Sequence, residues 1–420
     1  MTSRERVLTA LAHKEPDKVP IDLGATYNSG ISACALYRLR EYYGLEKRPI
    51  QIYETSQMIG TMEPDIMERM HIDVIGLNSA NDCAGVPLHG PMQDFTMPDG
   101  TPVKISAAHK YKVDEKGRSF LYPQGNDSYD PSYVMPEGGY FFDAIPRSPG
   151  YDEDNLTPVE DFKEDFKPIS QEDARWYEEN AKLLRETTDR AIFGCFGMGG
   201  IGDPSAIPGG GVLEPKGIRT YQDWCMAQLL YPEYIKAVFE MWTDNALKSL
   251  EIYHQAVGDN IDVINISGTD FGTQVGPIMS LDTFRTLYKP YYRKMNDWVH
   301  DNTSWKTHYH CCGAIEVFIE DFIDMGVDVL NPVQLSAAGM DARQLKDKYG
   351  SRITFWGGGV DTQGLLPTGT PEQVKAQVKA RLDILARGGG YVFNTIHNIM
   401  GNVPAENIAA CFEAADEFRF

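Results

Sequence analysis

Short apolar runs alternate with amphipathic stretches along most of the chain. Eight runs rich in Val, Ile and Phe are apolar on both faces, as is typical of strands in a buried parallel sheet. They lie at 18–24, 72–78, 190–197, 260–268, 305–310, 327–333, 352–358 and 389–395. The intervening segments show helical spacing, as in 315–326, or helix-start residues, as at Thr370 and Pro371. Strands alternating with helices predict an α/β fold, a (β/α)8 TIM barrel.

An open, doubly wound sheet would show a similar alternation. The count of eight strands favours the barrel, and no dinucleotide-binding glycine pattern follows the first strand. We therefore expect one barrel domain spanning residues 1–420.

Residues 79–170 break the alternation. Glycine-containing turns flanked by Tyr, Phe and Val, as in MPDGTPVKIS and VDEKGRSFLYPQG, predict β-hairpins. We expect a β-hairpin-rich insertion after strand two that lies over the barrel mouth. A second segment, 197–217, is rich in glycine and proline and predicts an irregular, mobile lid.

Composition excludes some classes of partner. The chain has 60 acidic and 39 basic residues and a formal net charge of −21, which disfavours nucleic acid. No apolar run approaches the length of a membrane span, and the amino terminus does not resemble a signal peptide. The seven cysteines are odd in number and irregularly spaced, which favours a reduced, cytoplasmic protein over a disulfide framework.

Polar residues stand where nearly every predicted strand ends. A barrel builds its active site from the carboxyl ends of its strands, so these residues should converge. They are Asp22, Asn78, Asp270, Gln274, His308, His310, Cys312, Asn331, Gln334, Asp361, Asn394 and His397. Such convergence favours an enzyme over a non-catalytic binding protein.

The stretch THYHCCGAI, residues 307–315, contains the most distinctive chemistry. Residues two apart on a strand share a face, so His310 and Cys312 should point together while Cys311 points away. Imidazole and thiolate together suit zinc, and His397 is the candidate third ligand. Buried, inert thiols and packed histidines are the structural alternative. Helix capping is the alternative role for Asp270 and Asp361.

Several motifs resemble the uroporphyrinogen decarboxylase superfamily. They are RERVLTALAHKEPDKVPID at the start and, in the second half, GTDFGTQVGPIMSLDTFRTLYKPYYRKM, YHCCGAI, GVDVLNPVQ, GGGVDTQGLLPTGTPEQV and VPAENI. Residues 79–220 carry little of the resemblance. It implies a (β/α)8 barrel. The decarboxylases bind polycarboxylates through arginines in the first barrel loop, which here reads IDLGATYNSG without arginine.

The chain resembles more closely the corrinoid-dependent methyltransferase branch. Those enzymes pass methyl groups to or from cobalt carried by a partner protein. Many bind zinc through a His-x-Cys motif and a distant cysteine. His310 and Cys312 match the motif, and His397 stands where the distant cysteine is expected.

This resemblance implies the first component of an O-demethylase. It would move methyl from a small methoxylated, aromatic compound to a corrinoid protein, with Asp270 and His310 as catalytic residues. Asp270 would act as an acid or an orienting group. Asn78, Gln334 and Asn394 would contact the substrate. A metal-free decarboxylase and a methylcobamide:thiol methyltransferase are the alternatives, and the sequence leaves open a homodimer.

Overall fold

The computed structural model describes all 420 residues. Its strands are β1 (Ile50–Glu54), β2 (Ile59–Gly60), β3 (Val74–Leu77), β4 (Met92–Thr96), β5 (Pro102–Ser106), β6 (Tyr111–Val113), β7 (Ser119–Leu121), β8 (Tyr133–Met135), β9 (Asp143–Ala144), β10 (Ala191–Gly194), β11 (Val263–Ser267), β12 (Lys306–His310), β13 (Val329–Asn331), β14 (Thr354–Trp356) and β15 (Tyr391–Val392).

The helices account for most of the remaining chain. They are α1 (Ser3–Leu11), α2 (Ala33–Tyr42), α3 (Pro64–Arg69), α4 (Pro158–Phe162), α5 (Gln171–Thr187), α6 (Tyr221–Leu230), α7 (Pro232–Val257), α8 (Leu281–Leu287), α9 (Lys289–Asn302), α10 (Ile319–Asp324), α11 (Ala342–Tyr349), α12 (Leu365–Thr368), α13 (Pro371–Leu385) and α14 (Ala405–Glu417). None of them is both long and apolar enough to cross a membrane.

The central element is a curled, seven-stranded parallel sheet. Its order is β3-β10-β11-β12-β13-β14-β15, so neighbours along the chain are neighbours in space. The seven strands lie within the predicted runs from 72–78 to 389–395. The α/β class and the barrel-type sheet are therefore confirmed. All three residues of β13 and all five of β11 are buried, which explains runs that are apolar on both faces.

The predicted first strand, 18–24, is not a strand of this sheet. It makes one parallel bridge, Ile21 to Phe393. Asp22 donates its backbone N–H to the Phe393 carbonyl, and Asp73 donates its own to the Ile21 carbonyl. The segment thus joins β15 to β3 at the barrel seam. Its ladder stays short because Pro20 has no N–H and Gly24 turns the chain at φ 88°.

Two apolar cores flank the sheet. A large cluster fills the layer between the strands and the surrounding helices. A smaller cluster fills the barrel interior, where Phe193 and Trp356 pack with Val263. Val7 and Leu11 of α1 belong to this inner cluster. The interior is therefore packed with side chains, and a site must lie at an end of the barrel, which in such folds is the carboxyl end of the strands.

Antiparallel strands occupy the segment between β3 and α4. β4 and β5 pair through a turn at Gly100, and β5 continues in parallel beside β1. β6, β7, β8 and β9 form a four-stranded antiparallel sheet, with a turn at Gly117 between the first two. Both glycines have a positive φ, which the predicted turns require.

The segment 197–217 contains turns but no helix or strand. Arg147 donates to the carbonyls of Gly209 and Leu213 at 3.0 and 2.9 Å, and also to the carbonyl of Val212. Arg219 donates to the carbonyl of Ile207 at 3.3 Å. Backbone carbonyls that lack regular partners are thus satisfied by two arginines.

Candidate metal centre

Three of the predicted site residues converge at the carboxyl ends of β12 and β15. His310 is the last residue of β12, Cys312 follows it, and His397 lies in the loop after β15. One ligand atom from each residue lies within 4.8 Å of the other two. His310 Nε2 is 3.3 Å from Cys312 Sγ, and the two imidazole rings meet edge to face at 5.3 Å between centroids. We call this group the triad.

The ring of His310 is held in one orientation. Its Nδ1 lies 2.5 Å from Oδ1 of Asn331, and the Asn331 amide nitrogen donates to the Trp356 carbonyl at 2.8 Å. Because Asn331 Oδ1 can only accept, Nδ1 carries the proton and Nε2 presents a lone pair toward Cys312. Metal-ligating histidines are typically fixed through their other ring nitrogen in this way.

The neighbouring His and Cys side chains face elsewhere. Cys311 is fully buried, and its sulfur accepts the Phe271 N–H at 3.2 Å. His308 lies in the barrel interior, where Nδ1 is 3.0 Å from Asn265 Oδ1 and the ring meets Phe193 edge to face. The alternation predicted for Cys311 and Cys312 is present, whereas His308 is a packed interior histidine.

The protonation states of the triad suit a metal ligand set. Burial lowers the pKa of His310 to about 4 and that of His397 to about 3, so both imidazoles are neutral near pH 7. Burial raises the pKa of the Cys312 thiol, which a bound cation would lower by stabilising the thiolate. Two nitrogens and one sulfur, with a fourth position left open, fit the pattern of catalytic zinc sites. The donor set therefore fits zinc.

Asp270 lies directly beside the triad. Its Oδ1 accepts the Cys312 N–H at 2.5 Å and is 4.0 Å from His310 Nε2. The side chain is 44% exposed at its surface, but protein atoms surround the carboxyl, and this desolvation raises its pKa to about 6. Burial also raises the pKa of Asp203 to about 6, and the charge of Asp270 contributes to this shift. Two carboxyls with raised pKa values thus lie close enough for the charge of one to affect the other.

The predicted substrate contacts have different surroundings. Gln334 Oε1 accepts the Gly313 N–H at 2.7 Å, which fixes the turn after Cys312. Asn394 is fully buried, and its amide nitrogen donates to the Asp22 carbonyl at 2.7 Å. Asn78 Oδ1 is buried without a partner. Of the three, Asn78 is the one with a polar side-chain atom that is both buried and unpaired, and the substrate roles of all three stay predictions.

Some neighbouring groups were not singled out by sequence reasoning. Asn331 was expected only as a strand-end polar residue, and its pairing with His310 depends on the register of β12 against β13. Asp203 lies in the glycine-rich segment, where no periodic pattern marks it. Asp361, by contrast, accepts the backbone N–H groups of Gln363 and Leu365. These bonds are of the helix-capping kind that was the alternative to a role in the site.

The site is distinct from a cleft at the other end of the strands. That cleft, of about 350 Å³, is lined in part by Asp262 and Lys306, which stand at the amino-terminal ends of β11 and β12. It contains none of the triad. In barrels of this kind the chemistry lies at the carboxyl ends, so the triad end is the candidate site.

A barrel-type sheet with polar side chains at its carboxyl ends defines an enzyme-like α/β protein. The sequence profile of the uroporphyrinogen decarboxylase (URO-D) family matches residues 199–418, which is more than half of the chain and includes the whole triad. The chain belongs to that family.

Comparison of folds and sequences adds two findings. The structure is similar to a methyltransferase from Methanosarcina mazei with a TM-score of 0.56. The alignment covers 100% of this chain and 99% of that one at 18% sequence identity. At that identity the likeness shows the fold alone. No curated protein matches the sequence significantly.

Proposed function

We propose that the protein is a zinc-dependent methyltransferase that moves a methyl group from a small methoxylated aromatic compound to the cobalt of a corrinoid protein. The observation that carries the proposal is the triad with its oriented His310. Membership of the URO-D family and the fold shared with a methyltransferase support a methyltransferase-like enzyme. The aromatic ether substrate, the zinc ion and the corrinoid partner are parts of the proposal.

The reaction breaks the bond between the methyl carbon and the ether oxygen. Both electrons of that bond stay on oxygen, and the carbon takes its new bonding pair from cobalt(I), which becomes cobalt(III). The oxygen then takes up a proton and leaves as a phenol. A phenolate is a poor leaving group, so charge developing on oxygen must be stabilised.

The chain supplies the groups for this stabilisation. His310, Cys312 and His397 would hold zinc, which supplies Lewis acidity to the leaving oxygen. Asp270 accepts the Cys312 N–H and so fixes the backbone of that residue. Because it lies beside the triad, we propose it as the acid or orienting group. Gln334 positions the turn at Gly313. Asn78 and Asn394 complete the proposed set of substrate contacts.

We propose that residues 79–170 form one insertion that lies over the mouth of a single barrel domain. The ring of Tyr140 packs directly on Gly401, in the loop that follows His397. Gln124 donates to the Gly211 carbonyl at 3.0 Å. These contacts support a cover that excludes water from the transfer. The cysteines form no disulfides, in keeping with a cytoplasmic enzyme.

A decarboxylase is the alternative that the family name raises. Binding a carboxylated substrate would require a cation in the mouth. No lysine or arginine is among the groups that shift the pKa of the carboxyls of Asp22, Glu54, Asp203 and Asp270. A mouth with this charge opposes a polyanion, which favours methyl transfer from a neutral ether. A thiol methyltransferase would use the same triad and differs only in the acceptor.

Metal analysis of the purified protein tests the ligand set. We expect about one zinc ion per chain in the wild type and loss of zinc in His310→Ala, Cys312→Ala and His397→Ala. Cys311→Ala is the matched control, because that thiol is adjacent but faces Phe271. Wild-type protein that contains no metal after aerobic and anaerobic purification would exclude the zinc mechanism.

A transfer assay then separates the two methyl transfers. Zinc-loaded protein is mixed with 2-methoxyphenol and free cob(I)alamin, and methylation is followed by visible absorbance. We expect methylcobalamin and catechol in the wild type and neither in Cys312→Ala. Methylation of a thiol from methylcobalamin without demethylation of the ether would instead identify the thiol methyltransferase.

A further inference from the structure

The side-chain amide of Asn28 is buried without a protein partner. The residue is only 6% exposed, and its amide nitrogen makes no hydrogen bond. Only its backbone N–H is paired, with Thr26 Oγ1 at 3.0 Å. Buried polar side chains nearly always have a partner, so a free amide at the mouth of a barrel indicates a place for a ligand group.

The preceding residue, Tyr27, has a hydroxyl proton that no protein group accepts. Tyr27 accepts a hydrogen bond from the Asn265 amide at 2.5 Å, and its own proton has no acceptor. Burial raises the pKa of Tyr27, so the proton stays on oxygen. Tyr27 and Asn28 therefore each offer a donor that the protein does not use.

Gly268 leaves a small space between these two donors. A Cβ placed on Gly268 would lie 3.7 Å from Asn28 Nδ2 and 3.7 Å from the Tyr27 hydroxyl. Both atoms thus converge on the position where any other residue would place a side chain. Gly268 follows β11 directly and stands two residues before Asp270, which binds the Cys312 N–H. The space is therefore on the same loop as a neighbour of the triad.

The charge around this space disfavours an anion. The negative charges of Asp203 and Glu54 are among the causes that raise the pKa of Tyr27, so both carboxylates act on its hydroxyl. No lysine or arginine is among the groups that shift the pKa of either carboxyl. A carboxylate or phenolate placed here would be repelled, whereas a neutral oxygen would accept both hydrogen bonds without that cost.

We propose that Tyr27, Asn28 and Gly268 form a specificity subsite that holds a neutral acceptor oxygen on the substrate, adjacent to the methoxy group that reacts. The inference rests on the proposed function, since it assigns the ring of the methyl donor a second, uncharged oxygen substituent. An ether, carbonyl or neutral hydroxyl oxygen satisfies the subsite. The subsite selects among methoxylated aromatics and takes no part in breaking the bond.

Binding of paired probes to the zinc-loaded, full-length protein tests the subsite by titration calorimetry. The probes are methoxybenzene, with one oxygen, and 1,2-dimethoxybenzene, with a second neutral acceptor. The wild type should bind the second probe roughly tenfold more tightly, as expected for one to two hydrogen bonds to a neutral oxygen. A third probe, 2-methoxybenzoate, should bind more weakly than 1,2-dimethoxybenzene.

Two variants remove the subsite in different ways. Asn28→Leu removes the amide, and Gly268→Ala fills the space with a methyl group at ordinary contact distance. Gly276→Ala is the control, because a Cβ there would meet nothing within 4 Å. Both test variants should bind the two neutral probes with similar affinity, and the control should keep the wild-type preference. Thermal unfolding and zinc content verify that each variant is folded.

The outcomes separate the subsite from the proposed function. Unchanged preference in both test variants, no preference or no binding in the wild type, or tighter binding of 2-methoxybenzoate would each overturn the subsite. Loss of preference in Asn28→Leu and Gly268→Ala supports it, even if 1,2-dimethoxybenzene never methylates cob(I)alamin. In that case the methyl-transfer proposal fails and the binding assignment stands.

Discussion

His310 and Asn331 are joined by a hydrogen bond across neighbouring strands, with Nδ1 of the histidine 2.5 Å from Oδ1 of the asparagine. The two residues are direct partners in the register of β12 and β13. This contact leaves Nε2 free and aimed at Cys312. The orientation of the first proposed ligand therefore depends on a residue that would not itself touch the metal.

We expect Asn331→Leu to lower zinc affinity by roughly 10- to 100-fold, because the ring of His310 loses the acceptor that fixes it. Affinity is measured by competition with a chromophoric zinc chelator. Asn331→Asp keeps an acceptor oxygen for Nδ1 but loses the donor to the Trp356 carbonyl, so it should keep more zinc affinity than Asn331→Leu. Equal affinity in Asn331→Leu and the wild type would show that packing alone orients His310.

Sequence reasoning located the sheet well because burial on both faces leaves a direct pattern. Seven of the eight predicted runs contain strands of the parallel sheet. The eighth run, 18–24, has the same apolar pattern, but Pro20 and Gly24 limit its pairing to a single bridge. How many hydrogen bonds such a run makes with its neighbours is decided by tertiary contacts. Burial at both faces predicts a strand without predicting its hydrogen-bond partners.

The site was predictable in part for a related reason. His310 and Cys312 are two apart on one strand end, so their shared face follows from local geometry. Their approach to His397 was expected because His397 follows the last predicted strand and the carboxyl ends of barrel strands converge. The Asn331 contact and the free groups of Tyr27 and Asn28 depend on register and loop packing. These are set by distant residues, so no local pattern marks them.

Arg147 should control the opening of the segment 197–217. Its guanidinium donates to three carbonyls of that segment, at Gly209, Val212 and Leu213. We expect Arg147→Met to speed thermolysin cleavage within 197–217 roughly tenfold or more, since lost hydrogen bonds favour the open form. Arg118→Met is the control, because its ion pair with Asp114 is local and exposed. Equal cleavage of the Arg147 variant and the control would contradict this anchoring role.

The barrel seam should depend on the ion pair between Arg6 and Asp73. Arg6 Nη1 is 2.5 Å from Asp73 Oδ1, and Asp73 Oδ2 accepts the Ile21 N–H at 3.0 Å. The Asp73 side chain is 2% exposed. Burial outweighs the effect of Arg6 and leaves the pKa of Asp73 raised. We expect Arg6→Met to lower the free energy of unfolding by about 3 kcal/mol near neutral pH, because the buried carboxylate loses its cation.

The double variant Arg6→Met with Asp73→Asn tests the reason for that loss. It should recover most of the stability, since no charge remains buried, and urea unfolding measures both variants. Removing Arg6 raises the pKa of Asp73 in the folded protein further. The free energy of unfolding then falls as the pH rises through that raised pKa, because the carboxyl ionises without a cation beside it. The single variant should therefore approach the wild type at low pH. A loss that is the same at all pH values would contradict this account.

Asp22 should make stability depend on pH most steeply between about pH 4 and about pH 6. Its side chain is fully buried and accepts hydrogen bonds from Trp356 Nε1 at 2.8 Å and from the Ala25 N–H at 3.2 Å. Burial raises its pKa to about 6, and these two hydrogen bonds oppose the shift only in part. The ionised form is therefore disfavoured in the folded protein relative to the unfolded chain, whose aspartates titrate near pH 3.9.

The sign of the effect follows from the raised pKa. The contribution of Asp22 to stability is fully present below the unfolded pKa and is lost as the pH rises through about 6. Asp22→Asn keeps the acceptor oxygen and cannot ionise. Between about pH 5 and about pH 8 the variant should gain about 1 kcal/mol relative to the wild type in urea unfolding. A difference that does not change with pH would mean that Asp22 stays ionised in the fold, with its charge compensated by the two donors.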